Sequence, residues 1–121
     1  MLAYTYIEKG NFALVEKPRP ALIEPTDAIV RVTMSSICTS DLHIKHGYVP
    51  RAVTGITVGH EMVGIVEEVG AEVSRVKPGD RVTVNVDTAP LITHRFPLSE
   101  IDEAYRIFEN KLDGVIKVAI I

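Results

Sequence analysis

The 121-residue sequence contains a single cysteine and no tryptophan, and only 6% of its residues are aromatic. One cysteine cannot form a disulfide within the chain, so a disulfide-stabilised fold is excluded and one thiol needs another explanation. With so few aromatic rings, we expect a core built from Val, Ile, Leu and Ala. Because β-branched side chains suit the pleated surface of a sheet, this composition favours β structure.

The sequence also lacks a long apolar run and a run of basic residues. A membrane-spanning helix needs about 20 apolar residues, and a signal peptide needs a basic segment followed by an apolar one. The net charge is −3, whereas nucleic-acid-binding proteins usually carry a basic face. We therefore expect a cytoplasmic protein that binds neither membranes nor nucleic acids, with room for a single domain over residues 1–121.

Apolar patterning and turn residues predict a mainly β chain. Apolar stretches flank Gly10-Asn11, which predicts a β-hairpin over residues 2–16. The run Lys77-Pro78-Gly79-Asp80 predicts a type II turn. Glycine inside a strand, as at Gly64, usually marks a bulge or a close backbone approach. Three further segments rich in β-branched residues are predicted to be strands: residues 27–38, 61–69 and 82–86.

Two helices are expected among these strands. The residues directly after Cys38 can cap a short helical turn over residues 42–45. Apolar side chains recur at helical spacing over residues 101–112, where Ser99 is a candidate N-cap. Residues 115–121 then predict a closing apolar strand. The expected fold class is mainly β, within the α+β class.

Side chains that bind metals lie at the ends of two predicted strands. Cys38 ends one strand, and His60-Glu61 begins another. Cysteine and histidine are good zinc ligands, and a catalytic zinc takes three protein ligands and keeps one position open. Taken alone, a lone cysteine and a lone histidine are more often a buried small thiol and an ordinary polar side chain than metal ligands.

The segments around these residues resemble a known family. Residues 59–73, which begin Gly-His-Glu-Met-Val-Gly, are similar to the signature of zinc-dependent medium-chain alcohol dehydrogenases. Residues 27–43 and 76–82 are similar, in the same order, to the family's catalytic-cysteine segment and the turn that follows. The resemblance implies a GroES-like catalytic domain. That fold is a partly open β-barrel with a short helix after the cysteine, one C-terminal helix and a final strand.

The resemblance also implies roles for five residues. Cys38 and His60 would be zinc ligands, and Glu61 would be a further ligand or a nearby carboxylate that exchanges with substrate or water. Ser40 would accept the alcohol proton, and His43 would relay it outward. Other interpretations stay open: Ser40 could only cap the helical turn, and His43 could be an ordinary exposed side chain. Glu61 could orient the metal site without touching zinc.

Two parts of the intact family are not found in this sequence. The eight glycines form no Gly-x-Gly-x-x-Gly motif, so we expect the nicotinamide-binding Rossmann domain to be missing. The third catalytic ligand of relatives has one candidate here, Asp87. Residues 91–105 resemble the segment that follows the Rossmann domain in the family. The catalytic domain is therefore predicted to consist of two pieces, 1–86 and 87–121, joined near residues 85–89.

The implied activity is the NAD(P)-dependent oxidation of a small-molecule alcohol to an aldehyde or ketone, with zinc as cofactor. Hydride transfer needs the nicotinamide held about 3–3.5 Å from the reacting carbon, so we expect this chain to be inactive alone. Loss of a domain exposes formerly packed surface, which predicts a homo-oligomer formed through the former domain interface. The alternative is a non-enzymatic GroES-like co-chaperonin or interaction module, which has no use for Cys38 and His60.

Overall fold

A computed structural model describes residues 1–84 and 91–121. Within these residues the expected mainly β fold is confirmed, with a short helix after Cys38 and a C-terminal helix followed by a final strand. No helix in the described ranges is long and apolar enough to cross a membrane. The elements are, in chain order, β1 (Leu2–Glu8), β2 (Asn11–Glu16), β3 (Ala28–Ser36), α1 (Thr39–Lys45), β4 (Glu61–Val69), β5 (Arg81–Val84), β6 (His94–Phe96), α2 (Ile101–Glu109) and β7 (Val118–Ile120).

The strands form two sheets. β1 and β2 pair as an antiparallel hairpin, and the remaining five form a sheet with the order β5-β4-β3-β7-β6. All pairs in the larger sheet are antiparallel except β6 and β7, which are parallel and are connected through α2. The two sheets are open and do not close into a barrel within the described residues, consistent with the partly open barrel expected.

Glycine permits the close approach of β3 and β4, as the sequence predicts. A Cβ atom on Gly64 would lie 2.5 Å from the carbonyl oxygen of Arg31, which no side chain could tolerate without a shift of the backbone. The predicted turn before β5 is also present. Gly79 has a φ of 94°, and the amide of Asp80 donates to the carbonyl of Lys77 at 3.1 Å.

Several predicted element boundaries are corrected by the structure. α1 begins at Thr39, and its N-cap is Cys38 rather than a residue of the stretch 39–41. Ser99 is not the N-cap of α2: it lies in a 3₁₀ turn over Leu98–Glu100 that leads directly into the helix. In that turn the Glu100 amide donates to the Pro97 carbonyl at 2.9 Å, so the backbone replaces a side-chain cap.

The C-terminal boundaries differ for a conformational reason. α2 ends at Glu109 instead of residue 112, because Lys111 and Asp113 adopt the left-handed conformation with φ of 53° and 52°. The final strand is correspondingly shorter than the predicted 115–121. Of the predicted strand 82–86, residues 85 and 86 lie outside the described residues, as does the predicted junction at residues 85–89.

Most buried hydrophobic side chains are aliphatic, as expected, but three aromatic rings also pack in the core. Tyr4, Phe12 and Tyr105 come from β1, β2 and α2, and their ring centroids lie 5.1–5.7 Å apart. Each ring buries a large apolar area, so three of them can anchor three separate elements. The same cluster contains further buried side chains: Ile37, Ile101, Ala104, Val118 and Ile120.

Candidate metal centre

Strand pairing brings the three predicted metal ligands together. Ser36, the last residue of β3, pairs with Glu61, the first residue of β4. Cys38 follows the end of β3 by two residues, and His60 directly precedes β4. One candidate ligand atom from each of Cys38, His60 and Glu61 lies within 4.8 Å of the others. We call these three residues the Cys-His-Glu cluster.

The first turn of α1 fixes the position of Cys38. Its backbone is extended, with φ of −116° and ψ of 156°, and its amide donates to Oδ2 of Asp41 at 2.8 Å. The neighbouring Ile37 is buried in the core, and its amide donates to the carbonyl of Val118 at 3.1 Å. The thiol therefore stands on a backbone that is held from both sides, which favours a preorganised ligand over a mobile one.

His60 lies between a hydroxyl and a buried carboxylate. Its Nε2 is 3.1 Å from Oγ of Ser40, and its Nδ1 is 3.6 Å from Oδ1 of Asp41. Asp41 is only 1% exposed, and within the described ranges its Oδ1 accepts no hydrogen bond. A proton on Nδ1 of His60 would face this acceptor, which leaves the lone pair of Nε2 for a metal.

The burial of Asp41 has an electrostatic consequence. Burial raises the pKa of its carboxyl group, and this outweighs the hydrogen bond from the Cys38 amide and the nearby His60 ring, which act in the opposite direction. A buried carboxylate oxygen without a partner is unfavourable unless a donor or a positive charge approaches it. Asp41 therefore favours a donor or a positive charge beside its Oδ1, on the side where the His60 ring lies.

Glu61 is buried, and the side chains of Lys117, Ser36 and Cys38 all donate to its carboxylate. Its Oε2 accepts from Oγ of Ser36 at 2.6 Å and from Nζ of Lys117 at 2.5 Å. Burial alone would raise the pKa of Glu61, but the hydrogen bonds from Lys117 and Ser36 prevail and hold the pKa below its usual range. The carboxylate is therefore ionised near neutral pH, and its charge is balanced by one lysine.

The two predicted catalytic residues lie on α1 at different distances from the cluster. Ser40 contacts His60 directly, so its hydroxyl faces the cluster instead of capping the helix. His43 lies one turn further along; it is exposed, and its ring contacts that of Tyr48 with centroids 6.2 Å apart. The candidate third ligand Asp87 lies outside the described residues.

Two residues of the site were not identified as such from the sequence. Asp41 belongs to the stretch 39–41, which the sequence suggests only as a cap for the helical turn, and its spacing three residues after Cys38 is the one signal that ties it to the thiol. Lys117 gave no signal, because it lies far from Glu61 along the chain. It reaches the site through the pairing of β7 with the end of β3, where Ala119 pairs with Ser36.

The donor set of the cluster suits a zinc ion. Zinc in proteins is bound by thiolate, imidazole and carboxylate, and three such ligands leave the open position of a catalytic site. Catalytic sites of this kind usually pair the ligating imidazole with a carboxylate behind it, which is where Asp41 lies. The orphaned Oδ1 of Asp41 is thus an observation that fits a metal on the opposite nitrogen of His60.

Comparison with known proteins places the chain in a family. Residues 24–96 match the model of the alcohol dehydrogenase GroES-like domain. The chain is 42% identical over 89 residues to an uncharacterised zinc-type alcohol dehydrogenase-like protein, AdhB, of Bacillus subtilis. This match covers 74% of this chain and 24% of AdhB. It is 39% identical over 125 aligned positions to the NADP-dependent isopropanol dehydrogenase of Thermoanaerobacter brockii, covering 95% of this chain and 34% of that protein.

Solved structures give the same result. Zinc-dependent alcohol dehydrogenase 2 from Streptococcus pneumoniae, in its apo form, superposes with a TM-score of 0.66 at 48% identity over 69% of this chain. Alcohol dehydrogenase TADH from Thermus sp. ATN1 superposes with a TM-score of 0.64 at 43% identity over the same share. In both cases the match covers 24% of the other chain. The chain thus spans about a quarter to a third of the length of these relatives.

Proposed function

Because this chain belongs to the alcohol dehydrogenase GroES-like domain family, we propose that it is the zinc-binding catalytic portion of a zinc-type alcohol dehydrogenase. The reaction of the whole enzyme is the NAD(P)-dependent oxidation of a small-molecule alcohol to an aldehyde or ketone. The observation that carries the proposal is the Cys-His-Glu cluster, whose three ligand atoms lie within 4.8 Å of one another.

In this proposal Cys38 and His60 hold the metal, and Glu61 is the third group beside it. Zinc bound there would supply Lewis-acid chemistry, which lowers the pKa of an alcohol hydroxyl. Asp41, whose Oδ1 lies 3.6 Å from Nδ1 of His60, would orient the ring so that Nε2 faces the metal. Lys117 and Ser36 hold the Glu61 carboxylate ionised and in place.

Ser40 and His43 are proposed to move the alcohol proton. The hydroxyl of Ser40 is 3.1 Å from Nε2 of His60, so it would lie near an alcohol bound at the metal and could accept its proton. His43 lies one helical turn away with its ring exposed, so it can pass a proton to solvent. Helical spacing of three residues puts the two groups on one face of α1.

The nicotinamide and its binding site are proposed to come from outside these 121 residues. The sequence has no Gly-x-Gly-x-x-Gly motif to hold a dinucleotide. We therefore expect segments 1–86 and 87–121 to form one catalytic domain that turns over alcohol only when a cofactor domain is added. We also expect this chain to form a homo-oligomer through the surface that such a domain would cover.

The decisive experiment measures the zinc content of the purified chain by mass spectrometry of the metal. We expect about one zinc per chain in the parent, and a loss of most of it in Cys38→Ser and His60→Ala, since each removes one of three ligands. His94→Gln is the matched control. His94 contacts Thr93 and Asp113 outside the cluster, so its replacement should leave the zinc content unchanged.

Two results would contradict the proposal. The first is a parent protein that binds no zinc when the metal is supplied. The second is equal zinc content in the parent, the two cluster variants and the control, which would place the metal elsewhere on the chain.

A further inference from the structure

A cation from the C-terminal end of the chain joins the Cys-His-Glu cluster. Nζ of Lys117 donates to Oε2 of Glu61 at 2.5 Å, and the same oxygen accepts from Oγ of Ser36 at 2.6 Å. The side chains of Lys117 and Glu61 are only 12% and 10% exposed, so water screens their attraction weakly. Lys117 therefore belongs to the immediate surroundings of the cluster, although an ammonium group cannot itself bind a metal.

The backbone of Lys117 is fixed by one neighbouring residue. Its carbonyl accepts from the amide of Thr93 at 2.9 Å and from the Thr93 hydroxyl at 3.1 Å, and its own amide donates to that hydroxyl oxygen at 3.4 Å. The next residue, Val118, is fully buried, and its carbonyl accepts from the amide of Ile37. Lys117 thus stands on an anchored backbone beside the segment that carries Cys38, which favours a fixed ammonium group over a mobile one.

The carboxylate of Glu61 has two competitors for its negative charge. A carboxylate oxygen offers about two lone-pair positions, so Lys117 and Ser36 occupy those of Oε2. A metal ion held by Cys38 and His60 must bind the other oxygen of Glu61 or displace one of these donors. In either case Glu61 shares its charge between the metal and the ammonium group, which weakens its bond to the metal.

We propose that Lys117 is a positioning residue that makes Glu61 a weak, releasable ligand of the metal. Cys38 and His60 hold the metal throughout. This inference rests on the proposed function, because it requires zinc at the Cys-His-Glu cluster. A ligand that leaves easily opens a coordination position for the oxygen of an alcohol, and a catalytic zinc needs such a position. Without Lys117, Glu61 would bind the metal firmly and close it.

A double-mutant cycle on metal binding tests this inference without any measurement of turnover. The four proteins are the parent, Glu61→Gln, Lys117→Met and the double variant, and competition with a chromophoric chelator measures their zinc affinities. We expect Glu61→Gln to weaken zinc binding at least about tenfold more in the Lys117→Met background than in the parent. The reason is that Glu61 gives its full charge to the metal only when the ammonium group is gone.

Cobalt(II) in place of zinc reports on the ligands directly, because its visible absorption depends on their type and geometry. We expect the bands of Lys117→Met to differ from those of the parent, and those of the double variant to return toward them. Lys117→Arg keeps the positive charge and a donor, so it should keep the parent spectrum. If Lys117→Met does not fold, Lys117→Gln replaces it with the same expected directions, since glutamine keeps a donor without the charge.

Lys45→Met is the matched control. Lys45 also forms a part-buried pair with a glutamate, Glu109, at 2.5 Å, but that pair joins the ends of α1 and α2. The control therefore loses the same net charge and the same kind of ion pair as Lys117→Met. Its zinc affinity and its cobalt spectrum should match those of the parent.

The outcomes separate this inference from the proposed function. A parent that binds no zinc contradicts the proposed function, and this inference fails with it. If the parent binds zinc but Glu61→Gln weakens binding equally in both backgrounds, and all cobalt spectra agree, only this inference fails. It is also overturned if Lys45→Met changes the zinc affinity as much as Lys117→Met does, or if the spectrum of Lys117→Arg resembles that of Lys117→Met.

Discussion

Replacement of Asp41 by asparagine should separate metal affinity from stability. Asp41 performs two tasks with its two oxygens: Oδ2 accepts from the Cys38 amide at 2.8 Å, and Oδ1 faces Nδ1 of His60 at 3.6 Å. Asparagine has nearly the same shape, and its carbonyl oxygen can keep the bond to the Cys38 amide. Its NH₂ group would then face Nδ1, which would force that nitrogen to accept and Nε2 to carry the proton.

The magnitude for zinc follows from the loss of a carboxylate behind a ligating imidazole. Such losses weaken metal binding about 10- to 100-fold, which corresponds to about 1.4–2.7 kcal/mol of binding free energy. The ligands themselves remain, so binding should weaken rather than vanish. A competition titration against a chromophoric zinc chelator at pH 7 measures the difference.

In the metal-free protein, by contrast, Asp41→Asn should not lower the free energy of unfolding at pH 7. Burial raises the pKa of Asp41 in the folded state, so the folded protein binds this proton more tightly than the unfolded chain does. The stability contributed by the protonated form is full below the unfolded pKa of about 3.9 and is lost as the pH rises through the folded pKa. At pH 7, well above the unfolded pKa, the raised folded-state pKa makes this buried carboxyl group a cost to the folded protein, so Asp41→Asn should be at least as stable as the parent.

Urea denaturation in EDTA at pH 7 and at pH 3.5 tests the stability arm, and the gain should shrink at the lower pH. Asp102→Asn is the matched control: Asp102 accepts from the hydroxyl of Tyr4 at 2.6 Å, away from the cluster. That variant should lose about 1 kcal/mol of stability but keep its zinc affinity. The reasoning is refuted if Asp41→Asn binds zinc as tightly as the parent, or if both variants lose zinc equally.

Three further predictions concern stability. Glu109 accepts from Lys45 and His46, and chiefly the Lys45 bond lowers the pKa of its carboxyl group. Glu109→Gln should therefore lower the free energy of unfolding by about 1 kcal/mol near pH 7. Urea titrations should show this difference from the parent vanish as the pH falls through the lowered pKa. The Glu109 side chain is 25% exposed, so a loss above about 3 kcal/mol would contradict this picture. Gly70→Ala should lower the free energy of unfolding by at least about 1–3 kcal/mol, because its Cβ would lie 2.2 Å from the Pro25 carbonyl oxygen; an equal or greater thermal stability would contradict it. Tyr105→Ala should cost about 3–5 kcal/mol in chemical denaturation, since it empties the centre of the aromatic core, and a loss below 1 kcal/mol would show that the core collapses around the gap.

Local chemistry made much of the fold predictable. The Gly10-Asn11 hairpin and the Lys77–Asp80 turn depend on residues within four positions of one another, and both are present. The helix after Cys38 is likewise local. The prediction of the Ser99 cap failed, because a 3₁₀ turn satisfied the backbone in a way that no single residue type announces.

The aromatic core shows the limit of composition as a guide. A low aromatic fraction suggested an aliphatic core, and Ala, Ile and Val do make up most of it, but Tyr4, Phe12 and Tyr105 also pack together there from three elements. Composition counts residues without placing them, and a few large rings that converge contribute more buried area than their number suggests.

The sequence by itself determined the identity and order of the candidate ligands, because Cys38 and His60-Glu61 are types that bind zinc and stand at the ends of β-rich segments. Tertiary structure alone decided which groups surround them. Lys117 reaches Glu61 only because β7 pairs with the end of β3, and Asp41 faces His60 only because β3 and β4 end in register. Side-chain chemistry is a property of each residue, whereas the electrostatic environment that tunes it depends on neighbours brought from distant parts of the chain.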